Sequence, residues 1–133
     1  MRYEPVELPI SIEAGLSDLM ALRYSPDGLV VEFAVPNVEV AVLRVSFSKV
    51  EIFRVLDEMY LSTEGDQTVG AWEGHRPDHL AYRMHGAHFG RLQSELLEAM
   101  SPNAAHYMFV TGSDCLDVIS DVEPVFQVIR LGG

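Results

Sequence analysis

The sequence has one cysteine, one lysine and one tryptophan in 133 residues. A lone cysteine cannot close an internal disulfide, so a reducing compartment is the expected setting. Basic residues are scarce, nine against twenty acidic ones, which leaves a formal charge of -11 at pH 7. A chain so charged repels a phosphate backbone, so nucleic acid is not an expected partner. No apolar run approaches the ~20 residues of a membrane span. The opening residues, Met1-Arg2-Tyr3-Glu4-Pro5, lack the apolar stretch of a signal peptide. The expected location is cytoplasmic, with no membrane partner. Several catalytic signatures are missing as well. There is no Gly-x-Ser-x-Gly, and no glycine-rich phosphate loop carries a lysine, since the sole lysine is Lys49.

What is present suits a globular protein. Hydrophobic residues make up 48% and charged residues 22%, close to the globular averages of about 45–50% and 25%. A single domain over 1–133 is expected, because domains cluster near ~100–150 residues. Arginine outnumbers lysine eight to one, a bias expected of a GC-rich bacterial genome.

The hydropathy pattern predicts mostly strands. Val6, Leu8, Ile10 and Ile12 alternate with Glu7, Pro9, Ser11 and Glu13, the period of a half-buried strand, with Pro9 restricting it to a sheet edge. Ser25-Pro26-Asp27-Gly28 separates two further strands, proline presetting the turn and glycine supplying positive φ. Over 38–47 the apolar positions switch from even to odd at Val42-Leu43, which predicts a β-bulge there unless the strand is buried on both faces. Ile52, Val55, Leu56, Met59 and Tyr60 then follow helical spacing behind a Ser48/Glu51 capping box, which predicts a helix over 49–61. The β-branched Val50, Ile52 and Val55 leave a strand as the competing reading. A long glycine-containing connection over 62–78 precedes a strand over 79–85. Phe89, Leu92, Leu96, Leu97 and Met100 predict a second helix, ended by Pro102, and three strands over 106–111, 115–120 and 124–131 follow. The expected fold class is α+β: one curved, mostly antiparallel β-sheet of about seven or eight strands, with two α-helices packed on one face.

Two regions hold candidate functional residues. The 62–78 connection carries Trp72, with Glu73, His75, Arg76 and Asp78 beside it. A tryptophan in such a loop is either a plug over the core or an aromatic anchor for a ligand. The last hairpin region carries Asp114, Asp117, Asp121 and Glu123, expected along an exposed edge or turn. They serve either solubility and edge protection or docking of a basic partner.

His75, His79, His85 and His88, with Asp78, raise a transition-metal reading. Spacing opposes it. In an extended strand His79 and His85 share a face about 20 Å apart, too far for one ion. Pro77 interrupts the His75–His79 helical step. His85 and His88 could approach across Gly86-Ala87, with Asp78 or His106 as a third ligand. Cys115 lies between Asp114 and Asp117, an anionic setting that disfavours a thiolate, and is expected to be a core residue.

In size, acidity and α+β class the chain resembles bacterial immunity proteins, a likeness that implies neutralisation of a basic toxin domain. The terminal Arg130-Leu131-Gly132-Gly133 resembles the di-glycine tail of ubiquitin-like modifiers and sulfur carriers over those four residues only. A frayed end is the expectation for it.

The leading expectation is a non-enzymatic binding module that uses its acidic surface and the 62–78 loop to hold a protein partner or small ligand, a basic one by charge, with no cofactor. The alternative is a small metal-dependent enzyme built on the 75–88 histidines. A third reading is a homo-oligomer paired through strand edges.

Overall fold

The computed structural model describes residues 2–38, 40–57, 73–93 and 95–131. Among them nine strands form two antiparallel sheets. The five-stranded sheet contains β1 (Arg2–Pro5), β6 (Ala81–His85), β7 (Ala105–Val110), β8 (Asp114–Ser120) and β5 (Ile52–Asp57), in that spatial order. The four-stranded sheet runs β2 (Leu19–Ser25), β3 (Gly28–Ala34), β4 (Ala41–Phe47) and β9 (Val125–Arg130). The antiparallel α+β character therefore stands, but the expected single curved sheet is replaced by two. The last strand causes the difference: β9 leaves β8 and pairs with β4, Leu43 opposite Val128 and Val45 opposite Phe126.

The two sheets face each other across the main core. Leu29, Val31 and Phe33 of β3 and Leu43, Val45 and Phe47 of β4 point inward at alternate positions, as strand geometry requires. They meet Tyr107, Phe109, Leu116 and Val118 of the larger sheet. Phe33 stacks on Phe109 with ring centroids 5.5 Å apart, and Phe47 meets Tyr107 edge-on at the same 5.5 Å. Aromatic contacts of this kind add about 0.5–1.5 kcal/mol each beyond area burial.

The β2–β3 hairpin forms at the expected turn, with Ser25 opposite Gly28. Gly28 has φ 117°, and a Cβ there would lie 2.0 Å from the Phe47 carbonyl oxygen, so only glycine fits.

Four other expectations are corrected. The Val6–Ile12 alternation is real in burial: Ile12 is buried, Val6, Leu8 and Ile10 pack against the core, and Glu7, Pro9, Ser11 and Glu13 are exposed. It is not a ladder strand, because β1 ends at Pro5 and the chain bends at Pro9-Ile10. The bulge at Val42-Leu43 does not occur. The chain turns at Pro36-Asn37, and β4 starts only at Ala41, so the even-numbered valines preceding it belong to the turn. Val42 and Leu43 are both buried and pair in unbroken register on either side. The observed register shift lies in β2, between Leu19 and Ala21.

The helix expected over 49–61 is β5 where it is described, and 58–61 lie outside the described residues. β5 pairs with β8 along its whole length, Ile52 opposite Ile119 and Asp57 opposite Asp114. The β-branched residues prevail, and the backbone amide of Glu51 donates to the Ile119 carbonyl instead of closing a capping box.

The second helix is present as two short pieces, α1 (His88–Arg91) and α2 (Glu95–Met100). Phe89 of α1 contacts His106 on the outer face of the larger sheet, and residues of both helices line an open pocket together with His106 and Ile119. No helix among the described residues is long and apolar enough to cross a membrane.

Candidate functional site

The described part of the expected functional loop, 73–78, is fastened to β1 and β6. The Tyr3 amide donates to the Glu73 carbonyl at 2.7 Å. The buried Tyr82 hydroxyl donates to the Arg76 carbonyl at 2.6 Å and accepts from the Arg76 amide at 3.2 Å. His75 stacks on the Tyr82 ring at 5.7 Å, and His79 meets that ring edge-on at 5.3 Å. Partial desolvation lowers the His75 pKa. Asp78 has φ 59°, and its Oδ1 accepts from the Gly15 amide at 2.7 Å, which ties this segment to the turn at Ala14–Leu16. Glu73 and Arg76 are exposed, and Arg76 lies 3.6 Å from Glu7. Trp72 lies outside the described residues, as does the side chain of His88.

The histidines are dispersed. His79 Nε2 sits 2.9 Å from the Val6 carbonyl oxygen, and His85 Nε2 sits 2.7 Å from Glu4 Oε1. That bond holds the Glu4 carboxyl below its usual pKa. Among the described residues no three His, Cys, Asp or Glu side chains gather around one point that could hold a metal ion.

The acidic residues of the last hairpin region also separate. Asp114 caps the β7–β8 turn, its amide donating to Thr111 Oγ1 at 2.9 Å and its carbonyl accepting from the same hydroxyl at 2.8 Å. Asp121 pairs with Lys49 at 3.2 Å. Asp117 is the correction: expected along an exposed edge or turn, it is 1% exposed.

Asp117 is buried because cross-strand pairing supplies its partners. On the outer face of the larger sheet, Met108 lies opposite Asp117 and Asp117 opposite Arg54, with His106 on the next row. Arg54 Nε donates to Asp117 Oδ2 at 2.8 Å, and His106 Nε2 lies 2.6 Å from Asp117 Oδ1. Above them the Arg54 guanidinium lies 4.1 Å from the Phe89 ring centroid, a cation–π contact that seats α1 on the sheet. His106 is 8% exposed, and its Nδ1 has no hydrogen-bond partner among the described residues. Sequence reading missed this cluster. Arg54 stood on the polar side of an expected helix, and His106 was weighed only as a spare ligand. A signal was available once β5, β7 and β8 were taken as neighbours, since the apolar rows of those strands then contain one arginine, one histidine and one aspartate.

Beside the cluster, Gly90, Leu97, Glu98 and Ser101 line an open pocket of about 470 Å³ with His106 and Ile119. Leu92, Leu96 and Met100 are 66%, 69% and 75% exposed. Leu96 and Met100 stand four residues apart on α2, on one side of it, and Leu92 follows α1 in the connection between the helices. The chain is matched by no protein-family model, no curated protein and no solved structure.

Proposed function

We propose that the protein is a non-enzymatic interaction module that docks a basic protein partner on the outer face of α1 and α2. The observation that carries this reading is the exposure of three large apolar side chains, Leu92, Leu96 and Met100, within nine residues. An amphipathic helix normally buries such side chains, and large apolar side chains left in water together mark a contact surface. Charge selects the occupant. Glu95 is exposed on α2, and the whole chain carries -11, so a second copy would be repelled while a cationic partner would be attracted. Partner chemistry of this kind agrees with the likeness to immunity proteins in size and acidity.

The test is a titration of 15N-labelled protein with a synthetic amphipathic leucine/lysine helical peptide as the probe. Amide shifts are expected to concentrate on α1 and α2, to weaken with added salt, and to vanish in the Leu92→Ser/Leu96→Ser/Met100→Ser variant. Shifts scattered over the acidic surface, or unchanged binding by the triple variant, would overturn the reading.

A further inference from the structure

We propose that the mouth between the two sheets binds a small α-amino acid in its zwitterionic form. Strand register builds the site. Glu4 of β1 stands opposite Arg83 of β6, and Arg83 opposite Tyr107 of β7, so the three share one row of the larger sheet. That row lies on the face turned to the smaller sheet, because Tyr107 belongs to the main core and meets Phe47 of β4. Glu123 and Pro124, from the connection between β8 and β9, and Phe126 of β9 complete an open pocket of about 300 Å³ with Arg83 and Tyr107.

Three polar groups of this pocket lack partners. Tyr107 is 6% exposed, and its hydroxyl makes no hydrogen bond among the described residues. It is not one of the polar atoms sealed from solvent, so it opens at the pocket that its residue lines. Burial, the largest influence, raises its pKa, and the charges of Arg83, Glu123 and Glu4 all act on it. Glu4 is taken by His85, and Glu7 at the rim by Arg76. Arg83 and Glu123 form no ion pair with each other or with any other described residue. One unpaired cation and one unpaired anion thus line the same opening, with a hydroxyl donor between the sheets.

The ligand chemistry follows from those fixed charges. An arginine is a cation and an exposed glutamate an anion throughout the neutral range. The guanidinium and the phenol donate to a carboxylate, and Glu123 accepts from an ammonium. A simple anion would leave Glu123 unanswered and meet the net charge of -11, while a simple cation would leave Arg83 beside it. An α-amino acid carries both groups on one carbon. The volume is at the small end of the ~300–1,000 Å³ of ligand pockets, and Val6 and Phe126 offer apolar surface to an aliphatic side chain.

L-Norvaline is the probe. Pentanoate, which lacks its ammonium, and n-butylammonium, which lacks its carboxylate, are the controls. Titrations of the 15N-labelled full chain are read at the amides of Arg83, Tyr107 and Glu123. Norvaline is expected to give saturable shifts there, with affinity about tenfold above either control. Glu123→Gln, an exposed change between β8 and β9, should remove the preference over pentanoate. Arg83→Gln should remove the preference over butylammonium, and Tyr107→Phe should weaken norvaline severalfold. The proposal is overturned by an absent saturable shift, by either control binding as tightly as norvaline, or by a Glu123→Gln variant that keeps the full preference.

Discussion

His106 and Asp117 sit diagonally across the β7–β8 pairing, Nε2 to Oδ1 at 2.6 Å, on a sheet face where the carboxylate is 1% exposed. The register produces this contact. Met108 stands opposite Asp117 and His106 opposite Ile119, so the imidazole reaches across one residue pair to the carboxylate. Arg54 arrives from the opposite neighbour, β5, and closes the set. Three strands and α1 thereby share one polar centre within an otherwise apolar face.

Removing its middle member should be costly. Asp117→Ala leaves the Arg54 guanidinium and the His106 N–H without their shared acceptor. Loss of one partner from a buried charged set destabilises by about 3–5 kcal/mol. Replacing all three by apolar residues of similar size (Arg54→Met, His106→Leu, Asp117→Leu) should restore most of that loss, because the desolvation cost goes with the charges. Urea unfolding midpoints measure both. A change within about 0.5 kcal/mol for Asp117→Ala would show that the cluster holds nothing together.

Asp78 separates a structural role from ligand binding. Its φ of 59° suits Asn and Asp better than other side chains, and its Oδ1 holds the Gly15 amide. Asp78→Asn keeps the backbone preference and a neutral acceptor and should unfold near the wild-type midpoint. Asp78→Ala loses both and should be destabilised by about 1–3 kcal/mol. Equal stability of the two variants would remove the clip to the Ala14–Leu16 turn from the account.

Legibility in the sequence followed local pattern and failed where partners came from afar. The β2–β3 turn was readable because Pro26, Asp27 and Gly28 encode it alone. The inward face of 6–12 was readable for the same reason, since burial follows alternation whether or not a ladder forms. β5 was not readable. Its apolar residues fit helical spacing, and only pairing with β8, whose partners lie 57 to 67 residues away, makes it a strand. The burial of Asp117 was hidden likewise, since an aspartate in a hairpin region reads as solvated until Arg54 and His106 are placed beside it. Helical periodicity over Phe89 to Met100 was real, yet it misjudged the destination of the stripe. Phe89 is buried while Leu92, Leu96 and Met100 face water, and periodicity cannot say whether a stripe finds its partner within the chain.

The Glu4–His85 contact sets a pH window. The hydrogen bond from His85, at 2.7 Å, is the largest influence on the Glu4 carboxyl and lowers its pKa below the ordinary 4.5, against the opposing effect of burial. A carboxyl whose folded pKa is depressed adds stability that is present above its unfolded pKa and lost as pH falls through the folded one. The Glu4→Gln variant should therefore melt below the wild type near pH ~6 and coincide with it near pH ~3. Thermal melts at both pH values check the sign. A gap that persists unchanged in acid would assign the difference to packing of the glutamate stem.

Tyr82 is the post to which the 73–78 segment is fastened. Its hydroxyl makes two bonds with the backbone of Arg76, while its ring lies in a small cluster with Tyr3, Met84 and Met108. Tyr82→Phe keeps the ring and removes both bonds, leaving the Arg76 amide to find water and its carbonyl with the His79 amide at 3.3 Å. The expected loss is about 1–3 kcal/mol, and most of it should be local. Hydrogen exchange distinguishes local from global effects. The Arg76 amide should exchange faster in Tyr82→Phe, while amides of Phe109 and Val118 in the sandwich core change only by the small global destabilisation. Uniform acceleration at all three would mean instead that the tyrosine hydroxyl supports the whole sandwich and that the segment has no separate opening of its own.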